Sequence, residues 1–169
     1  MVRQMNRRTS LERQRGVGRP CVAVLCGLAL MAGVLCQANA YAAEKLRLVE
    51  HEETNTTIHV DRNSSADAVG DVIVFANPVF DSGNLHQVGV VQGSCVRVIV
   101  GASWECSFTL VMGHDRITLE GPYADEGDSV FAITGGSGRF LSARGRMITH
   151  VREGKAGATP IADLTYEIQ

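Results

Sequence analysis

Beyond residue 40, runs rich in Val, Ile, Thr and Phe recur between clusters of Gly, Asp, Asn and Pro, and a helical period is nearly absent. Such a pattern belongs to strands joined by tight turns, and it predicts an all-β domain. Strands are expected near 45–60, 71–80, 86–100, 104–112, 115–123, 129–135, 143–153 and 161–168. Turn residues separate them, among them Asp81-Ser82-Gly83-Asn84, Gly101-Ala102-Ser103, Asp125-Glu126-Gly127-Asp128 and Gly135-Gly136-Ser137-Gly138. Short connections make neighbouring strands antiparallel, so the expected architecture is an up-and-down barrel or a sandwich. Two strands do not alternate. Residues 71–80 place Val72, Val74 and Ala76 on one face and Ile73, Phe75 and Val79 on the other, and residues 88–100 behave likewise. A strand apolar on both faces needs partners on both, which predicts a homo-oligomer.

The first forty residues differ in kind. Residues 1–20 carry six arginines against Glu12, and an uncharged apolar run from Cys21 to Leu35 follows. This run is shorter than the roughly 20 residues needed to span a bilayer, and it ends in Ala38-Asn39-Ala40, a small-x-small cleavage pattern. The expected organisation is a signal peptide over 1–40 and a single domain over 41–169, periplasmic or extracellular, starting at Tyr41 or a few residues later. An uncleaved anchor, with the run stretched through Ala43, is the alternative.

Without residues 1–40 the chain keeps ten basic against 17 acidic residues, a net charge of −7. The basic residues are scattered, so neither nucleic acid nor, after signal cleavage, a membrane is an expected partner. Two cysteines remain, Cys95 and Cys106. The turn at 101–103 folds their strands together and sets them nearly opposite each other, which predicts a disulfide in an oxidising compartment. The five histidines have no metal-ligand spacing, and no metal or other cofactor is expected. The Gly135–Gly138 segment lacks the lysine and following helix of a phosphate loop and reads as a turn.

The segments Gly70-Asp71-Val72-Ile73-Val74-Phe75-Ala76-Asn77, Gly121-Pro122-Tyr123 and Thr134-Gly135-Gly136-Ser137-Gly138-Arg139-Phe140 together resemble the allene oxide cyclase family, in which a GDxxxFxN and a GPY…TGGSGxF segment recur in this order. Ala143-Arg144-Gly145 and Val88-Gly89-Val90-Val91-Gln92-Gly93 are similar to the dirigent proteins, which share that barrel. The resemblance covers most of residues 45–152. It implies an eight-stranded antiparallel barrel, a trimer, and a small apolar ligand in the lumen.

Position by position, the resemblance places the family's lumen asparagine on Asn77, the preceding aromatic on Phe75, the cysteine on Cys95, and the glutamate on Glu50, with Glu52 on the same strand face as the alternative. The pocket arginine of the dirigent motif falls on Arg144. The Ser-Pro pair of the family's first loop is missing, where this chain has Arg62-Asn63-Ser64-Ser65. Residue phase adds Trp104, Phe108 and Tyr123 to the expected lumen wall. Each has a structural alternative: Asn77 caps a turn before Pro78, Glu50 belongs to a solvated acidic group, Arg144 pairs with a carboxylate, and the aromatic residues fill the core. The function expected is that of a cofactor-free cyclase or isomerase, in which Glu50, Asn77 and Arg144 are catalytic. A non-catalytic guiding protein and a structural oligomer are the alternatives.

Overall fold

The computed structural model describes residues 43–169, so the signal peptide expected over 1–40 and the start at Tyr41 lie outside the described residues. Nine strands form: β1 (Glu44–His51), β2 (Thr56–Ile58), β3 (Val72–Asp81), β4 (Gln87–Ile99), β5 (Ser103–Met112), β6 (Asp115–Ala124), β7 (Ser129–Ser137), β8 (Gly145–Val151) and β9 (Ile161–Ile168). From β3 to β9 each pairs antiparallel with the next; β9 then pairs with β1, and β1 pairs with β3 through Glu50 opposite Val79. The sheet thus closes on itself as an eight-stranded antiparallel barrel, which leaves no edge along the ring. Register shifts at Val79/Phe80, Arg97/Ile99 and Thr118/Leu119 supply local bends of the kind closure needs.

The strand expected over 45–60 is broken. β1 and β2 both lie against β3, Glu50 opposite Val79 and Thr56 opposite Val74, with Glu52–Asn55 out of the ladder between them. The other seven strands fall within a few residues of their expected positions.

Period-two alternation decides what fills the barrel. On β9, Ala162, Leu164, Tyr166 and Ile168 point in and are buried; on β5, Trp104, Cys106, Phe108 and Leu110 do so. Leu48, Leu110, Ile117, Leu119, Leu164 and Tyr166 pack the half of the barrel where β1 begins, and Phe140 of a short 3-10 turn is buried with them. The opposite end, where β1 stops and β3 starts, is the open one.

Two glycines are required by close approach. A Cβ at Gly93 would run into Phe108 Cβ and the Ser107 carbonyl across the β4–β5 ladder. Gly138 sits at φ +65° against Asp115 where β7 ends; Gly135–Ser137, expected as a turn, instead continue β7 opposite Arg116–Thr118. The expected disulfide joins Cys95 to Cys106, directly opposite on β4 and β5 with Cα atoms 4.0 Å apart, both facing inward.

Candidate functional site in the barrel lumen

The break between β1 and β2 is held by one side chain. Asn77 is 1% exposed, and its Oδ1 accepts from the Thr54 backbone N–H at 2.9 Å and the Thr54 hydroxyl at 3.0 Å. Its Nδ2 donates to Glu50 Oε1 and to Asn55 Oδ1, both at 2.8 Å. Thr54 Oγ1 in turn accepts from the Ala76 backbone N–H at 2.7 Å, and Asn55 Nδ2 donates to Glu52 Oε2 at 3.1 Å. Asn77 therefore spends all four of its hydrogen-bonding positions within the protein. It replaces the missing ladder bonds and holds Glu50 in one orientation. Among the described residues no protein donor reaches Glu50 Oε2.

Above this network lies a cavity of about 200 Å³, larger than the roughly 150 Å³ that admits a benzene ring in a protein core. Glu50, Glu52 and Asn55 supply its polar edge, and Phe75, Trp104, Phe108, Tyr123 and Phe131 its aromatic wall. Phe108 contacts Phe131 edge to face, with ring centres 4.8 Å apart, and Phe75 lies 6.0 Å from Phe108. Glu50 sits almost wholly out of water in these surroundings. Burial raises its pKa to about 7, against the lowering effect of the Asn77 hydrogen bond, and the neighbouring Glu52 adds to the rise. Glu52 is also raised, again chiefly by burial. The Tyr123 hydroxyl is pushed up to about 12 by burial first and then by the charges of Glu52 and Glu50.

The mouth is built by two clamps. Asp71, completely buried, accepts from the Val60 and Ala68 backbone N–H groups at 2.9 and 3.1 Å and contacts His59 Nδ1 at 2.7 Å. These bonds pin the ends of loop 59–71 and hold its carboxyl below the usual range. Arg97, 6% exposed, donates to Asp67 at 2.8 Å and to both oxygens of Asp125, and it stacks on Trp104 with 3.9 Å from guanidinium carbon to ring centre. Trp104 Nε1 also donates to Asp125 at 3.1 Å, which fixes the indole at the lumen wall.

Of the residues singled out from sequence, Glu50, Phe75, Asn77, Cys95, Trp104, Phe108 and Tyr123 all line this cavity, and so does Glu52. Arg144 does not, which corrects its expected place in the pocket. It is exposed, it donates to the Ala143 carbonyl at 2.7 Å, and its backbone pairs with Gln169 at the packed end of the barrel. Ala143 is buried in the turn before β8, and Arg144 beside it faces solvent. Sequence reasoning missed Phe131, Met147 and Thr149, which line the cavity, and Tyr166, whose buried hydroxyl finds no partner. The β9 alternation at Ala162, Leu164 and Tyr166 was the signal that could have found the last.

Comparison with known proteins agrees with this architecture. The allene oxide cyclase family model matches residues 45–151. Among solved structures, a pterocarpan synthase dirigent protein superposes with a TM-score of 0.65 at 16% identity, covering 75% of this chain and 89% of its own. A pyocyanin demethylase gives a TM-score of 0.57 at 20% identity, over 73% of this chain and 100% of its own. The Diels-Alderase AbmU from Streptomyces koyangensis gives 0.56 at 17% identity, over 80% and 74%. At these identities the likeness is one of fold.

Proposed function

The chain belongs to the allene oxide cyclase family, and on that premise we propose that it is an exported, cofactor-free cyclase or isomerase acting on a small apolar ligand in the lumen. The observation that carries this reading is Glu50: a carboxyl group out of water, oriented by Asn77, with Oε2 turned to no donor among the described residues and a pKa of about 7. A group with that pKa is neutral in part and ionised in part near neutral pH, the range in which a general acid or base works best. Neutral Glu50 donates a proton to a ligand oxygen; ionised Glu50 stabilises a developing positive charge. The aromatic wall imposes the reactive conformer and keeps water from the reacting atoms. Solved structures described as Diels-Alderases and as dirigent proteins share this barrel, which supports a lumen that shapes a reaction. Asn77 is a positioning residue in this scheme, because its own hydrogen bonds are taken up within the protein.

The guiding role of a dirigent-like protein is the second reading, favoured by the dirigent neighbour and by the same enclosed wall. Both readings are exported and oligomeric. Val74, Val88, Val96, Val98, Ile99 and Val100 are exposed on the outer face around β3 and β4, and further copies of the chain, two in the trimer the family resemblance implies, cover them.

Mass spectrometry of small molecules released from the purified protein identifies the ligand, and the Glu50→Gln variant then separates the readings. The enzyme reading expects this variant to bind that molecule and convert it at least a hundredfold more slowly. Unchanged conversion removes Glu50 from the mechanism. A wild-type protein that binds the molecule and leaves it unchanged supports the guiding role.

A further inference from the structure

We infer that the lumen selects a planar aromatic ligand bearing a positive charge, such as an N-alkylated or protonated nitrogen heterocycle, over neutral and anionic ligands of the same shape. The inference rests on the lumen being a ligand site at all, and it names the ligand's chemical class. Of the residues lining the cavity, two are carboxylic acids, Glu50 and Glu52, and none is Lys, Arg or His. A ligand carboxylate would enter without a partner and face two acids. A cation meets those acids on one side and the aromatic side chains of Phe75, Trp104, Phe108, Tyr123 and Phe131 on the others, surroundings that favour positive charge wherever a ring face is open to it.

The nearest cation of the protein does not contradict this. Arg97 lies against Trp104 but is taken up by Asp67 and Asp125. Arg152 likewise is held by Asp163 on the outer surface. Loops at the mouth add Asp61, Glu126 and Glu153 against Arg62 and Lys155, with Asp128 paired to His150, so the field at the entrance has the same sign as that inside.

Charge on Glu50 sets the pH dependence. The groups that face it are Glu52 just past the end of its own strand, Asn77 from β3, the Tyr123 hydroxyl from β6, Thr149 from β8 and the Tyr166 hydroxyl from β9; none carries a positive charge. With its pKa at about 7, Glu50 is largely ionised at pH 8 and largely neutral at pH 6. Cation affinity therefore falls roughly tenfold between those values while affinity for a neutral ligand stays level.

Trp104 is the one tryptophan of the chain and lines the cavity, so its fluorescence reports occupancy. The test titrates the purified protein with three probes of one shape: N-methylquinolinium, 1-methylnaphthalene and 1-naphthoate. The expected result at pH 8 is N-methylquinolinium bound at least tenfold more tightly than 1-methylnaphthalene, with 1-naphthoate weakest, and the cation's advantage lost at pH 6. In the Glu50→Gln/Glu52→Gln double variant, the cation is expected to lose its preference over the neutral probe. Equal or tighter binding of the naphthoate, or a cation affinity that does not move with pH, overturns the ligand class and leaves the lumen site standing. If none of the three probes reaches Trp104, the lumen site and the ligand class both fall.

Discussion

A carboxyl group enclosed by aromatic rings costs free energy whenever it is charged, and the size of that cost makes Glu50 visible in stability as well as in chemistry. Folded Glu50 keeps its proton to about pH 7, whereas the unfolded residue loses it near pH 4.5. Between those values the folded state binds more protons, so stability falls as pH rises through the window. Glu50→Gln keeps an oxygen that can accept from Asn77 Nδ2 and removes the charge. It is expected to leave the melting temperature unchanged at pH 4 and to raise it at pH 8, by up to about 3 kcal/mol of added stability. Thermal unfolding of both proteins at the two pH values checks this. Glu50, Asn77 and Phe75 were legible through the family resemblance, and a period of two agreed in putting Asn77 and Phe75 on one strand face while leaving Glu50 and Glu52 together on another. Arg144 was not, because it stands outside β8, where motif position says nothing about direction and the small Ala143 is the buried residue.

At the scale of elements, the turn chemistry located the strands, but not the break in the first of them. Thr54-Asn55-Thr56-Thr57 looks like continuing strand, and only a distant residue, Asn77, shows why the ladder stops: its amide bonds to Thr54 and Asn55 in place of backbone partners. Asn77→Ala is therefore expected to lower stability by about 2–4 kcal/mol, since it leaves the Thr54 N–H and the buried Glu50 without their partner. Denaturant unfolding measures it. Asn77→Asp, which adds a charge beside Glu50, should be no better tolerated. The Cys95–Cys106 pair closes a loop of 11 residues' separation, so its reduction should cost about 3 kcal/mol or less. A Cys95→Ala/Cys106→Ala variant that keeps its barrel and melts lower meets that expectation. Gly93→Ala is a sharper test of packing: the added methyl pushes on Phe108, so the variant should lose ligand affinity along with stability.

Residues 43–169 form a barrel packed solid at one end and open at the other, and this asymmetry is what alternation alone could not forecast. Its outer valines predict assembly: the purified protein should elute as an oligomer, and Val98→Asp, placing a charge on that face, should reduce it to monomer in light scattering. N-terminal sequencing of exported protein should begin at Tyr41 or a few residues later. The central claim, that the lumen exists to hold a small molecule, is tested most directly by mass spectrometry of what the purified protein carries. Val91, buried in the cavity wall, offers the control: Val91→Trp fills the lumen. The account predicts one class of small molecule released from the wild-type protein and absent from the folded Val91→Trp variant. The same molecule on both proteins, or none on the wild type, would contradict it.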